Sequence, residues 1–187
     1  MKTSGLLGRI SSRVVGVLTS IFVVGGFGVL PAYADYWQLQ DGFEYNPSST
    51  WTLYHSGNGS GGFDIKAGRS RSGYNNAWLT VLTGWSSVGR TVVFSPYFSG
   101  RTLNCNAQIY IQPLIGSSKL NFEVIDPSTW RYVALKTVTV TGGSYQAVLV
   151  GPFIPARKDL FVRVSLLGNG TASAARVDDL TVGCQYY

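Results

Sequence analysis

The feature that most constrains this chain is a regular alternation of apolar and polar residues with period two. In "LNFEVID" (120–126), Leu120, Phe122 and Val124 fall on one face of an extended strand and Glu123 falls on the other. Such alternation in segments rich in Val, Thr, Ile and Tyr is typical of a β-strand with one buried face. Sheets with one buried face must pack in pairs, which favours antiparallel layers over a parallel sheet covered on both sides.

Ten segments carry this pattern, and Gly, Asn, Ser or Pro separates them. The predicted strands are 51–56, 62–65, 77–82, 90–95, 103–112, 120–126, 133–140, 145–153, 160–167 and 176–184. About ten short strands in a chain of this length predict an all-β antiparallel sandwich or barrel.

The N-terminus has the organisation of a signal peptide. Three basic residues precede an uncharged apolar run over 14–30, which ends in "PAYA" (31–34), a sequence with small residues where signal peptidase requires them. We predict cleavage after Ala34, a secreted, extracellular protein, and one domain over 35–187. The alternative is a retained membrane anchor, since the run is just long enough to span a thin bilayer.

The charge of the mature chain is small. Removal of the signal peptide lowers the basic count from 15 to 12 against nine acidic residues, so a net charge of +6 becomes +3. The basic residues are scattered and form no stripe, which argues against a nucleic-acid partner. We expect a monomer that does not bind membranes after cleavage.

The only two cysteines are Cys105 and Cys184. Export favours a disulfide between them, and the alternative is two separate buried thiols. The bridge would join the last strand to a strand in the middle of the chain. Closing so long a loop is worth about 4 kcal/mol in the chain-entropy model.

Catalytic motifs are scarce, and we expect no enzyme. His55 is the only histidine, and no nucleophile elbow, zinc-protease helix or phosphate loop is present. A Ser-His-Asp constellation stays open, because its members meet only in space. Glu44 and Glu123 could form a glycosidase pair, but the alternation around Glu123 is ordinarily that of a solvated strand face.

The tryptophans fall into two groups. Trp51 and Trp78 lie in apolar strand segments and are predicted in the core. Trp85 in "TGWSSVG" and Trp130 in "DPSTW" lie beside turns, where an exposed flat ring can stack on a sugar. The alternative for both is a ring that plugs a turn.

The order of several short motifs is more specific. "GFE" (42–44), Trp51, "GRSRSGYNNAWLTV" (68–81), Trp130 and "ARVDDLTV" (175–182) follow one another along the chain. This order resembles the galactose-binding-like jelly rolls, particularly the carbohydrate-binding modules attached to bacterial xylanases and cellulases. The resemblance implies a jelly-roll sandwich and non-catalytic binding of a polysaccharide or cell-wall glycan. The alternative function is an extracellular structural or adhesive protein that binds other proteins.

The same resemblance implies a structural calcium ion where the first strand, the "RSG" turn and the last strand meet. Glu44 matches the N-terminal carboxylate of the family, Asp178 matches the first acid of its last-strand motif, and Asp41 could join them. Backbone carbonyls near residues 72–73 would complete a set of oxygen ligands, which is what calcium requires.

The alternation also predicts the surroundings of these acids. Asp178 has the phase of Leu180 in the last strand, so we expect it to point inward, whereas Asp179 points outward and is solvated. A buried carboxylate needs a partner. The alternative to calcium is an ion pair of Asp178 with Arg69 or Arg71.

Overall fold

A computed structural model describes residues 35–94 and 103–186 of the chain. The predicted signal peptide and its cleavage site at Ala34 lie outside the described residues. Within the described ranges, no helix is long and apolar enough to cross a membrane.

The described chain is built almost entirely from strands. They are β1 (Asp35–Asp41), β2 (Thr52–Gly57), β3 (Ser60–Asp64), β4 (Asn76–Val81), β5 (Gly84–Val93), β6 (Leu103–Pro113), β7 (Ser117–Asp126), β8 (Arg131–Thr141), β9 (Gln146–Phe153), β10 (Asp159–Leu167) and β11 (Ser173–Tyr186), with one short helix, α1 (Pro47–Thr50). All ten predicted strands are present. The prediction missed β1, although Trp37 and Leu39 alternate there with glutamines.

The strands form two sheets, and within each sheet all the paired strands are antiparallel. One sheet has the order β3-β4-β11-β6-β9, with β1 paired to β11, and the other has the order β2-β5-β10-β7-β8. The predicted antiparallel β-sandwich is therefore confirmed. Neighbouring strands are mostly distant in sequence, as in a jelly roll.

The core lies between the two sheets and follows the predicted alternation. Phe122, Val124 and Val164 on one sheet and Ile109 and Ile111 on the other are all fully buried. Each such side chain contributes about 1.5–3 kcal/mol by leaving water.

The predicted disulfide is also confirmed. Cys105 on β6 stands opposite Cys184 on β11, and their sulfur atoms are 2.02 Å apart. The bridge therefore fixes two neighbouring strands of the six-stranded sheet inside the core.

Trp51 is buried as predicted, at 3% exposure, but the prediction for Trp78 was wrong. Ala77 and Leu79 point into the core, so Trp78 between them faces outward and is only half-buried. Its ring lies over Gly62, where a Cβ atom would be 2.8 Å from the Cζ2 atom of Trp78. Alternation alone could not fix which face of β4 is inner, because Trp is compatible with either.

Candidate functional site

The outer face of the five-stranded sheet carries an unusual set of side chains. On β10, Val162 and Val164 point into the core, so Phe161 and Arg163 point outward. Residues directly opposite one another on paired strands share a face, and their pairing brings further outward residues beside these two. We call this surface the aromatic face and define it by Tyr54, Trp85, Glu123, Trp130, Phe161 and Arg163.

Three aromatic rings meet at one end of the aromatic face. The rings of Tyr54 and Phe161 have centroids 6.0 Å apart at 83°, and those of Trp130 and Phe161 are 6.0 Å apart at 63°. These edge-to-face arrangements are favourable for aromatic pairs. The Phe161 ring lies over Gly89, where a Cβ atom would be 2.6 Å from its Cζ atom. Gly89 is therefore the residue that lets the ring lie against the sheet.

Trp130 ends the turn between β7 and β8. Asp126 Oδ1 accepts hydrogen bonds from Ser128 N at 2.8 Å and Ser128 Oγ at 2.7 Å, and the Trp130 N–H donates to the Asp126 carbonyl at 2.8 Å. Trp130 itself has a φ of 55°, in the left-handed region. This backbone directs its ring toward Phe161 while 60% of the residue stays exposed. The predicted exposure of Trp130 is thus found.

Trp85 differs from its prediction in position. The sequence placed it at a turn before a strand starting at residue 90, but β5 begins at Gly84 and already includes it. Trp85 is half-buried on the aromatic face, and the Arg163 guanidinium carbon lies 5.9 Å from the centre of its ring. One side of the ring therefore contacts a cation.

Between the two tryptophans lies a buried ion pair. Glu123 and Arg163 are directly opposite one another on β7 and β10, and Arg163 Nε donates to Glu123 Oε2. Ser165 Oγ lies 3.3 Å from the same oxygen. Glu123 is only 2% exposed, so the expectation of a solvated residue was wrong. Its strand phase was read correctly, but neighbouring side chains on the outer face cover it.

The aromatic face is long. Trp85 is opposite Leu167 at one end of β10, and Trp130 contacts Phe161 near the other end. Six residues of strand span about 20 Å. The two tryptophans therefore mark the ends of a surface with the ion pair between them, rather than sharing one loop cluster.

The predicted metal ligand Glu44 lies under the turn before β4. Its Oε1 accepts hydrogen bonds from the backbone N–H groups of Tyr74 and Asn75, both at 2.9 Å. Gly73 passes so close that a Cβ atom there would be 2.5 Å from the Glu44 carboxyl carbon. Glu44 therefore anchors the 73–75 turn to the segment after β1.

Asp178 is fully buried, as predicted, but for another reason. Asp178 of β11 stands opposite Tyr110 of β6, and the register of these two strands shifts between Asp178 and Thr181. Because of this shift, the side chain of Asp178 does not share the phase of Leu180. The residue 71–72 turn covers it instead. Asp178 Oδ2 accepts from the backbone N–H groups of Arg71 at 2.7 Å and Ser72 at 3.4 Å.

The electrostatics of Asp178 follow from this cover. Burial, together with the nearby charge of Asp179, raises the pKa of Asp178 to about 7, although backbone hydrogen bonds from Arg71, Asp179 and Ser72 oppose the shift. Loss of water around the carboxylate outweighs those bonds.

Asp179 is not freely solvated, contrary to expectation. Its backbone has a φ of 49°, and its carboxylate accepts from Ser72 Oγ and from the Arg71 guanidinium, each at 2.6 Å. The Arg71 guanidinium also stacks 3.5 Å from the centre of the Tyr110 ring. The predicted arginine partner therefore reaches Asp178 only through its backbone and pairs with Asp179 through its side chain.

Asp41, the third predicted ligand, is also engaged. Its Oδ1 accepts from the Phe43 N–H at 2.9 Å, its Oδ2 accepts from Trp51 Nε1 at 3.2 Å, and Arg90 forms an ion pair with it. Asp41 thus fixes the end of β1 against Trp51.

These contacts do not fit a calcium ion shared by the three carboxylates. The described oxygens face N–H groups and a guanidinium, which carry positive partial or full charge, whereas calcium needs converging oxygen ligands. Among the described residues, no group of three or more His, Cys, Asp or Glu is placed to hold a metal. The calcium hypothesis stays a prediction. If calcium is bound, chelation should lower the melting temperature of the protein. If the hydrogen bonds described here hold these carboxylates instead, chelation should leave the melting temperature unchanged.

The proposed carboxylate pair for glycoside hydrolysis does not share a site. Glu44 is bound to the 74–75 backbone, and Glu123 is paired with Arg163 on the outer face of the five-stranded sheet. His55 is exposed on β2 beside Ser86 of β5.

Sequence reasoning missed Tyr54, Phe161 and Arg163 as functional candidates. A signal was present in "LFVRVSLL" (160–167), where Phe161 has the outward phase of Arg163 instead of the inward phase of Val162. A large aromatic residue on the polar face of an alternating strand indicates a cluster of side chains on the outer surface of the sheet, and Phe161, at 7% exposure, is covered there by its aromatic neighbours.

Comparisons with known proteins identify the fold. No protein-family model and no curated protein matches the sequence. Among solved structures, the module TmCBM61 in complex with β-1,4-galactotriose is similar at a TM-score of 0.53 and 13% identity, covering 75% of this chain and 92% of that one. The CBM22-1 xylan-binding domain of Xyn10C from Paenibacillus barcinonensis is similar at a TM-score of 0.53 and 15% identity, covering 80% and 94%.

A third similar structure is much larger. The arabinose-bound α-L-arabinofuranosidase MgGH51 aligns at a TM-score of 0.54 and 14% identity over 81% of this chain, but over only 26% of its own length. The likeness therefore concerns one part of that protein. The two carbohydrate-binding modules, in contrast, are matched over most of their length. This chain therefore has the jelly-roll β-sandwich fold of carbohydrate-binding modules.

Proposed function

We propose that this chain is a secreted, non-catalytic protein that binds a polysaccharide along the aromatic face. The single observation that carries the proposal is the row from Trp85 through Arg163 and Glu123 to Phe161 and Trp130 on one outer sheet surface. The fold shared with carbohydrate-binding modules supports it without defining a ligand.

The chemistry of this row suits a sugar chain. The C–H face of a pyranose is apolar and packs on an aromatic ring, while its hydroxyl groups need directed donors and acceptors. Trp130 offers an exposed ring, and Arg163 offers a partly exposed guanidinium that its ion pair with the buried Glu123 holds in place. Groups that are ordered before binding lose less entropy when a ligand arrives.

The length of the aromatic face predicts how affinity depends on the ligand. A surface of about 20 Å exceeds one sugar ring. Binding should therefore be weak for monosaccharides and should strengthen with chain length until the surface between Trp85 and Trp130 is filled.

An adhesive protein that binds other proteins is the second candidate. Two residues of β8, Tyr132 and Leu135, are 54% and 45% exposed. They lie opposite Ile125 and Glu123 of β7, respectively. This apolar margin beside the aromatic face would suit a protein surface as well as a glycan.

Affinity electrophoresis in gels containing β-1,4-galactan or xylan separates the two candidates. Trp130→Ala should reduce retardation with little loss of stability, because 60% of the residue is exposed, whereas Tyr45→Ala, at 91% exposure and away from the sheet, is the matched control. If neither polysaccharide, nor other neutral plant or cell-wall glycans, retards the wild type, the glycan proposal is wrong and the adhesive one replaces it.

A further inference from the structure

The outer face of the six-stranded sheet carries a second, chemically different surface. Three strands lie side by side there, and their register forms three rows of outward residues. The rows are Tyr36, Gln185 and Asn104; Gln38, Gly183 and Asn106; and Gln40, Thr181 and Gln108. We call these nine positions the amide face, because six of them are Asn or Gln.

The amide face contains no charged residue, although solvated sheet surfaces commonly carry Lys and Glu. The side chains of Asn104, Asn106 and Gln108 make no hydrogen bond to other residues in the described parts of the chain. Each of these three amides therefore offers two donor hydrogens and a carbonyl acceptor to a ligand. This donor and acceptor set complements hydroxyl groups, which also donate and accept.

Tyr36 adds an aromatic ring to this surface. Its side chain crosses diagonally from β1 to β11 and lies over Gly183, where a Cβ atom would be 3.0 Å from the Tyr36 Cζ atom. The absence of a side chain at residue 183 thus lets the ring rest against the strand. Tyr36 remains 57% exposed, so part of the ring is open to solvent.

The ring and the amides border one groove. A depression of about 230 Å³ is lined by Tyr36, Asn104, Asn106, Gln108, Thr181 and Gln185, among others. Both faces therefore place an exposed aromatic ring beside polar side chains. On the aromatic face the polar side chains are an ion pair, and on the amide face they are neutral amides.

We propose that the amide face is a second carbohydrate-binding site, selective for uncharged glycans. The proposal rests on the glycan-binding function proposed above. The two sites lie on opposite outer surfaces of the sandwich, so one molecule can hold two polysaccharide chains and cross-link them.

NMR titration of the protein with β-1,4-galactotriose and with xylan oligosaccharides tests the proposal. We expect backbone amide signals of residues 104–108 and 181–185 to shift, in addition to those of β5 and β10 on the aromatic face. Tyr36→Ala should weaken binding at the amide face by roughly tenfold or more and leave the aromatic face unchanged. Tyr45→Ala should affect neither.

A second variant guards against misfolding. Gly183→Ala retains every amide and the Tyr36 ring but displaces that ring from β11, so it should weaken binding at the amide face while β5 and β10 still respond. Wild type should also raise the turbidity of galactan or xylan solutions by cross-linking, and either Tyr36→Ala or Trp130→Ala should abolish the increase.

The outcomes distinguish this proposal from the proposed function. Shifts confined to the aromatic face at saturation, or amide-face affinity unchanged in Tyr36→Ala, overturn the second site and leave the first intact. Shifts at the amide face alone support the second site and refute the first. If neither face responds to these probes or to any other neutral plant or cell-wall glycan, both proposals are wrong.

Discussion

The buried pair of Glu123 and Arg163 allows a quantitative prediction, because its two members differ in burial. The side chain of Glu123 is 2% exposed and that of Arg163 is 19% exposed. Removing one partner of a buried pair costs about 3–5 kcal/mol when it leaves the other charge without compensation. Water can reach the guanidinium more easily than the carboxylate.

We therefore expect an asymmetric double-mutant cycle. Arg163→Ala should lower the free energy of unfolding by about 3–5 kcal/mol, because it leaves a buried carboxylate. The loss in the free energy of unfolding should be smaller for Glu123→Ala than for Arg163→Ala, by about 1–3 kcal/mol, because water can hydrate the remaining Arg163. The double variant should cost less than the sum of the two, with a coupling of about 1–3 kcal/mol.

Urea unfolding at pH 7 with the disulfide intact measures the cycle. Arg131→Ala is the control, since Arg131 is an exposed arginine at the start of β8. Additive effects, each below about 1 kcal/mol, would match a surface ion pair and refute the burial argument. A larger loss for Glu123→Ala than for Arg163→Ala would refute the assignment of which charge is more deeply buried.

Three further predictions concern stability. Gly89→Ala should cost about 1–3 kcal/mol by forcing the Phe161 ring off the sheet, which thermal melting will show, and a neutral effect would contradict the packing described. Replacing Cys105 and Cys184 together by Ala should cost about 4 kcal/mol in denaturant unfolding, and unchanged stability would refute the role of the bridge. The pKa of Asp178 is raised above its unfolded value of 3.8 to about 7, so the folded state holds the proton more tightly. Stability should then fall by up to about 4 kcal/mol as pH rises from 4 to 7 and stay lower above that. The same pH dependence in Asp178→Asn would refute the assignment to this residue.

Much of the fold was predictable from the sequence for a simple physical reason. A strand repeats its side-chain direction every two residues, so alternation identifies strands without any knowledge of their neighbours. All ten predicted strands are present, and a single possible pairing of two cysteines gave the disulfide between β6 and β11.

Alternation states which residues share a face but not what covers that face. Glu123 has the outward phase that the sequence indicates, yet it is buried by its neighbours on the outer surface. Trp78 has an apolar context and still faces outward, because Ala77 and Leu79 occupy the core side of β4. Both differences arise from side chains that are distant in sequence.

A single irregularity also defeats the phase argument. The register shift after Asp178 resets the alternation of β11, and a residue with positive φ, Asp179, occupies the shift. Asp178 is therefore buried by the 71–72 turn and not by the core, which no pattern within β11 could reveal.

The sequence by itself determined the strands, the sandwich class and the disulfide, since these depend on local periodicity and on a count of cysteines. Only the tertiary structure decided the candidate sites. The aromatic face joins Tyr54, Trp130 and Phe161 from three separate strands and turns, and the amide face joins β1 to β6 through β11. The physical reason is that strand order in a jelly roll brings together segments far apart along the chain, and period-two alternation carries no information about which strands become neighbours.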